Sequence, residues 1–487
     1  MSQPQKSHVD VLILGAGLSG IGAAAQLTRK LPHKTYAILE RRQAIGGTWD
    51  LFRYPGIRSD SDMSTFGFSF RPWRESRVLA DGPSIKKYLA DTAAEYGVVP
   101  HIQFGRHVVK AEWSSVKKQW TVTTTLDDGA KETWTAQFLI AATGYYAYDA
   151  GFTPEFPGRQ QFKGQIIHPQ HWPEQLDYAG RKVVVIGSGA TAITLVPSMV
   201  AGGAAEVTML QRSPTYVLSV PSVDPLWKAM SKVLPVKAVY AATRLRNIGV
   251  QRTLFLTARR APKVVKRFIA AQTKRQLGQQ VDLKHFTPRY NPWDERLCVV
   301  PDGDLFRALR KGKAKIVTDT IKTFDAKGIT LDSGAHLDAD IIVTATGLNL
   351  QLFGGAALVV DGKPVSIKEH MAYKGMMMND IPNLLAIFGY TNASWTLKAD
   401  IVTEHFLRMI AHMDKKKLKT VTPRAKDVQA TDETVMGSLS SGYVRRGAHT
   451  LPRQGSTAPW AVLNDYIRDA TALKFGSITH KALEYRA

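Results

Sequence analysis

The stretch "HVDVLILGAGLSGIGAAAQL", His8 to Leu27, reads as a short apolar strand, a glycine-rich turn and an Ala-rich helix. Gly15 allows the tight turn, Gly17 lets a pyrophosphate approach the backbone, and Gly20 lets helix and strand pack closely. Ser19 stands among them, in the first turn of the helix, where unpaired N–H groups face an anion. "YAILE" follows as a second strand and ends on Glu40, 25 residues after Gly15. A carboxylate at that place hydrogen-bonds a ribose diol and repels a 2′-phosphate.

The same pattern returns in "RKVVVIGSGATAITLV", Arg181 to Val196, with Gly187, Ser188, Gly189, Ala190, Thr191, Ala192 and Ile193 forming the turn and the start of the helix. Its second strand ends on Gln211 and Arg212, 24 and 25 residues after Gly187. No carboxylate stands there; a guanidinium does, and it can fork onto a phosphate. The first unit therefore suits FAD, the second NADPH rather than NADH. Each unit later has an apolar strand closed by Ala-Thr-Gly, at 142–144 and at 345–347. The expected fold is α/β, with two Rossmann-like dinucleotide-binding domains and a helical insertion. Its expected parts are an FAD domain over 1–145, an NADPH domain over 146–221, the insertion over 222–290, more NADPH domain over 291–384, and a return to the FAD domain over 385–487.

The 487 residues carry a net charge of +23, unevenly spread. Thirteen Lys and Arg lie between Asp224 and Asp282, with no Asp or Glu among them. Within that block "RRAPKVVKRFIAAQTKRQL" reads as a basic amphipathic helix that mixes Val264, Val265, Phe268 and Ile269 with cations. Two readings stand: a solvated helical insertion, or peripheral attraction of 225–280 to an anionic membrane. Nucleic acid is not expected, because no recognition motif accompanies the charge. Val183 to Ala205 carries no charge, yet its glycines split it into strand, turn and helix rather than a membrane span. No signal peptide is visible, and a cytoplasmic, reducing setting is expected.

Cys298 is the one cysteine. It excludes a Cys-rich metal site and a redox dithiol over a flavin. No metal is expected. With the disulfide route closed, dioxygen is the natural electron acceptor, by way of a C4a-peroxyflavin.

"FKGQIIHPQHWP", Phe162 to Pro173, resembles the fingerprint of Baeyer–Villiger monooxygenases at Phe162, Gly164, His168, Trp172 and Pro173. "GGTWDLFRYPGIRSDSDM" (46–63) looks like that family's flavin-ring segment, and "YNPWDERLC" (290–298) like the segment with its catalytic arginine. Together with "GYTNASWTLKAD" (389–400), these motifs most resemble the ethionamide-activating branch of this class B flavoprotein monooxygenase family.

The resemblance implies a set of roles. Arg296 would stabilise the peroxyanion and then the oxyanion of the adduct, with Asp60 holding it in position. Gly47, Thr48, Trp49, Asp50 and Leu51 would line the flavin, and Val108 would meet its adenine side. Arg58 and Ser59 would face the nicotinamide half of NADP⁺. His168 would be a hydrogen-bonded structural residue at a junction between the two units. Many family members carry a Lys immediately before the arginine, against the 2′-phosphate. This chain has Glu295, so NADPH preference would rest on Arg212. The implied reaction uses O₂ to convert a ketone to an ester or lactone, with oxidation of sulfides besides. An S- or N-oxygenating flavin monooxygenase with little ketone activity stays open, as does a membrane-surface NADPH oxidase flavoprotein. Oligomeric state is open too.

Overall fold

Strand Lys6–Leu14 runs parallel to Tyr36–Leu39 on one side and to Lys131–Ala141 on the other. It is the centre of a nine-stranded sheet, because its residues Val11 to Ile13 are apolar on both faces. A computed structural model describes residues 6–295, 297–437 and 439–487 of the chain. In it the Ala-rich helix Leu18–Lys30 covers one face of this sheet, and its small residues Ala23, Ala24 and Ala25 are buried. The C-terminal helix Trp395–Lys416 lies alongside, joined to it by Gln26 donating to Asp400 and by an ion pair of Lys30 with Glu404. Lys131–Ala141 is long enough to serve two partners. Its first half continues the antiparallel meander from His107–Ser114 and Gln119–Thr125, and its end pairs with Leu384–Ala386. The chain is back in this sheet by Ala357–Val360, parallel to His107–Ser114; the sequence reading had set that return at about 385.

The second sheet has five parallel strands in the spatial order Ala314–Thr318, Glu206–Gln211, Lys182–Ile186, Ile341–Thr344 and Gln165–Ile167. The uncharged run 183–205 divides here into strand, turn and helix Ala190–Ala201. The edge strand Gln165–Ile167 comes from inside the aperiodic "FKGQIIHPQHWP". That segment is therefore more than a linker. Three residues are too few to display a strand's period of two.

The basic insertion leaves and re-enters between two parallel strands, Val217–Val220 and Cys298–Pro301. Parallel neighbours need a long crossover, and the helices Pro225–Met230, Val236–Arg260 and Pro262–Leu277 supply it. The expected single amphipathic helix is two, because Pro262 cannot continue the helix that ends at Arg260 and instead begins the next. Its apolar set divides as well: Val265 and Ile269 are buried, Val264 and Phe268 exposed. No helix among the described residues is long and apolar enough to cross a membrane.

The insertion is fastened to the first unit by hydrogen bonds from Asn247 and Gln251 to Asp62 and from Tyr240 to Phe68 O, and by one buried cation. Arg244 Nη1 donates to the carbonyls of Ser64 at 2.9 Å, Thr65 at 3.3 Å and Gly67 at 2.8 Å, and its Nη2 lies 3.6 Å from Asp400 Oδ2. Asp400 in turn accepts the Ser69 N–H at 2.8 Å. Removing one partner of a buried pair strands the other, at a cost of about 3–5 kcal/mol. Arg244→Lys is expected to restore only part of the urea midpoint that Arg244→Ala loses, having one nitrogen for the carbonyls and no second one toward Asp400. A midpoint unchanged in Arg244→Ala would show that the clamp carries no stability.

Candidate active site

Both glycine-rich turns press against the Ala-Thr-Gly end of their own sheet. Gly15 has φ +100°, and a Cβ there would lie 2.9 Å from Ala142 O. Gly187 has φ +138°, and a Cβ there would lie 2.3 Å from Ala345 O. Neither position admits a side chain, on conformation or on space. Gly17 and Gly189 follow as the N-caps of their helices, without a side chain to satisfy the first N–H groups. Those groups are left for an anion.

Around the first turn the carboxylate of Glu40 is buried and accepts the Ala16 N–H at 2.6 Å and the Arg42 N–H at 2.8 Å. Burial raises its pKa; the two backbone hydrogen bonds oppose that rise. The cavity in front of it holds about 570 Å³. Gly15, Gly17, Ser19, Glu40, Gly47, Thr48, Trp49 and Val108 all stand in its wall, with Gly20 behind them inside the helix. A buried carboxylate beside a helix start with unpaired N–H groups, both in the wall of one cavity, fits a flavin dinucleotide.

Two expected lining residues are turned away. The helix Thr48–Leu51 is a single turn, so Thr48, Trp49 and Phe52 share the cavity side and Asp50 and Leu51 the other. Leu51 packs in the core of the second unit. Asp50 is ion-paired with Arg42 at 2.6 Å and Lys86 at 2.5 Å. Burial, the largest influence, would raise its carboxyl, but the bonds from Lys86 and Arg42 outweigh it and hold the pKa below the usual value.

Beyond the flavin region, Arg58 and Asp60 reach the cavity and Ser59 does not. The backbone is extended there, bridging Arg58 to Asp81, so successive side chains alternate. Ser59 is buried and donates to Ser61 O at 2.9 Å. Arg58 is held by Asp304 at 2.6 Å, and the Ser61 hydroxyl donates to Asp60 Oδ1 at 3.3 Å. Arg296 lies outside the described residues. Trp293 and Leu297, on either side of it in sequence, both line the cavity. That end is apolar: Leu218, Val220 and Val299 come from the paired strands, Val250 and Leu254 from the long insertion helix.

From the second motif, Ala190 and Thr191 reach this same cavity. Gly187 and Ser188 are half-buried and Gly189 is exposed. Ala192 and Ile193 are core residues, since the helix turns them inward. Gln211 is not a nucleotide ligand: it is buried and its amide donates to His285 O and Thr318 Oγ1, both at 2.8 Å. At a strand end only one of two neighbours faces out, and Arg212 is the exposed one.

In the fingerprint, Phe162 is buried, Trp172 half-buried and Pro173 exposed. A Cβ on Gly164 would meet Asp340 O at 2.2 Å, so two chain segments touch there. His168 Nδ1 accepts the Gln170 N–H at 3.2 Å, which leaves Nε2 to donate to Gly347 O at 3.1 Å. Burial lowers its pKa, consistent with a neutral ring.

Sequence reasoning missed an aromatic wall. Tyr54, Tyr145, Tyr146, Tyr148, Tyr390 and Trp395 all line the cavity. Tyr145 stacks on Trp395 with centroids 5.1 Å apart, and Trp395 Nε1 donates to Ser19 Oγ at 2.8 Å. The available signal was "GYYAY", placed directly after the first Ala-Thr-Gly.

Two helix starts open on one cavity, and the first is backed by the buried carboxylate of Glu40, as in a dinucleotide-binding flavoprotein. The chain belongs to the flavin-binding monooxygenase-like family, which it matches over residues 9–394. It is 53% identical over 480 residues to the probable FAD-binding monooxygenase AlmA of an Acinetobacter species, covering 99% of this chain and 97% of that one. It is 50% identical over 479 residues to the FAD-containing monooxygenase EthA of Mycolicibacterium smegmatis, covering 98% and 97%. In fold it is similar to an oxidized steroid monooxygenase bound to NADP, with TM-score 0.77, 22% identity, and coverage of 99% and 100%.

Glu40→Ala removes the carboxylate expected at the flavin ribose. A lost hydrogen bond to a charged group is worth about 1.5–3 kcal/mol, or roughly 10- to 100-fold in affinity. Flavin absorbance retained after gel filtration is expected to fall, with the far-UV circular dichroism unchanged. Full retention would take Glu40 out of the binding site.

Proposed function

We propose that this protein is an FAD-dependent, NADPH-using monooxygenase of Baeyer–Villiger type. It inserts one atom of O₂ next to a ketone carbonyl to give an ester or lactone, the other atom leaving as water with the two electrons of NADPH, and it oxidises sulfides in the same cavity. FAD occupies the first unit and NADP(H) the second. The observation that carries the reading is the shared cavity, which residues of both helix starts line together with the apolar Leu218, Val220, Val250, Leu254, Leu297 and Val299. A chain with one cysteine has no dithiol to take electrons from a flavin, so oxygen is the acceptor.

Bound flavin, once reduced by NADPH, supplies the activated oxygen. The chain's own residues do the rest. Leu218, Val220, Leu254, Trp293, Leu297 and Val299 exclude water and hold an apolar substrate. Arg296 sets a fixed positive charge where negative charge develops on oxygen, and Asp60 positions that guanidinium. Arg58, fixed by Asp304 in the cavity wall, would meet the nicotinamide half of NADP⁺. Arg212 meets the 2′-phosphate, and the half-buried Glu295 is partly offset by Arg445, 3.8 Å away. His168 serves geometry rather than proton transfer, since both ring nitrogens are engaged with backbone.

The decisive assay offers one ketone and one thioether and identifies the products. Ester formation from the ketone is expected, and Arg296→Ala is expected to abolish it while flavin reduction by NADPH stays within about threefold of the parent. Sulfoxide without ester would establish the S- or N-oxygenating reading instead, and consumption of NADPH without either product the oxidase reading.

Coenzyme choice is a separate test. Arg212→Ala is expected to lower kcat/KM for NADPH roughly 10- to 100-fold, the worth of a charge-assisted contact, and to leave NADH little changed. A parent enzyme that prefers NADH would overturn the NADPH assignment.

A further inference from the structure

We infer that the outer face of helix Pro262–Leu277 docks on the surface of an anionic lipid bilayer. The helix is 16 residues long, about 24 Å. One stripe of it is buried: Val265, Ile269, Thr273 and Leu277, each four residues from the last. The opposite stripe is exposed: Lys263, Val264, Arg267, Phe268, Ala271, Lys274 and Arg275. Its two large apolar residues are more than half exposed, Val264 at 59% and Phe268 at 54%.

The cations of this stripe differ from four arginines that the insertion turns inward or toward its neighbours. Arg244, Arg246, Arg252 and Arg259 each have a carboxylate partner, in Asp400, Asp224, Asp465 and Asp294. Among the described residues, no carboxylate is within ion-pair distance of Lys263, Arg267, Lys274 or Arg275. Like charges three and four residues apart destabilise a helix. Apolar side chains left in water forgo about 25 cal/mol per Å². The stripe therefore carries two unmet demands at once, negative charge and an apolar phase. The headgroup region of an anionic bilayer meets both. A nucleic acid meets only the first. A second copy of this chain would bring the same positive charge.

The rest of the insertion repeats the composition. Val233, Leu234 and Val236 are exposed between Lys232 and Lys237.

The inner face adds a consequence that rests on the proposed reaction, as the docking does not. Val265 and Ile269 pack in one cluster with Leu218, Leu254, Trp293 and Leu297, which line the apolar end of the cavity. A bilayer against the outer face lies about one helix diameter, roughly 10 Å, from that chamber. Apolar substrates dissolved in the membrane are then the class the enzyme draws on.

The test is cosedimentation of the flavin-loaded protein with vesicles of phosphatidylcholine alone and of phosphatidylcholine with phosphatidylglycerol. It is run at low and high salt with three proteins: the parent, Val264→Ser with Phe268→Ser, and Lys263→Gln with Arg267→Gln, Lys274→Gln and Arg275→Gln. All altered side chains are exposed, and retained flavin and circular dichroism report folding independently. The parent is expected to bind the anionic vesicles, to release at high salt and to ignore the neutral ones. Each variant is expected to bind at least tenfold more weakly. Absence of binding by the parent, or variants that bind as it does, would overturn the inference. So would duplex DNA that binds more tightly than the vesicles, which would make the stripe a nucleic-acid contact. If docking holds and no oxygenated product forms, the reaction fails and the surface assignment stands.

Discussion

Two carbonyl oxygens, Ala142 O and Ala345 O, sit where the first glycine of each nucleotide motif would carry its Cβ. The rest of the architecture depends on that contact. It brings the start of a helix against the end of a parallel strand, so the unpaired N–H groups and the Ala-Thr-Gly turn face one space. It also explains why the two motifs recur with matching spacing while the strands around them differ. The first sheet grows by an antiparallel meander and a late return of chain, the second by parallel strands alone. What is repeated is the approach of two backbones.

The cavity is bounded as much by the insertion as by either nucleotide unit. The long helix Val236–Arg260 gives Val250 and Leu254 to its wall, while Arg244 on the same helix grips three carbonyls of the first unit. Helix position and chamber shape are therefore coupled through a few turns of one rod. A cation buried among carbonyls is demanding of geometry, because each donor must reach its acceptor or lose its hydration without return.

Much of the fold was legible in the sequence because its signals are local. Both strand–turn–helix units, the division of the uncharged run 183–205 and the helical insertion follow from spacing and composition. The site was legible where space or burial forces a residue type, as at Gly15 and Gly187, which admit no side chain, and at Glu40 in the cavity wall. It was not legible where direction decides. Asp50 and Leu51 lie beside Thr48 and Trp49 in sequence but across a one-turn helix. Ser59 lies between Arg58 and Asp60 but on the other side of an extended segment. Gln211 and Arg212 are adjacent, and only one of them faces out. A motif fixes which residues are near and leaves open which way each points. The aromatic wall escaped for another reason: Tyr145 and Trp395 meet across 250 residues, and nothing local announces their stack.

The two strands that bracket the insertion, Val217–Val220 and Cys298–Pro301, lie side by side. Its point of departure and its point of return are therefore neighbours, so the segment between them is a cassette with adjoining ends. Its length and sequence can vary through evolution, or by grafting, without re-registering either nucleotide sheet. Any replacement must renew the insertion's ties to the first unit, those of Arg244 to the carbonyls of 64–67 and those of Asn247 and Gln251 to Asp62. The wall that Val250 and Leu254 give the cavity can then change while both glycine-rich turns stay in place, a division of labour built into where the chain leaves the sheet and where it comes back.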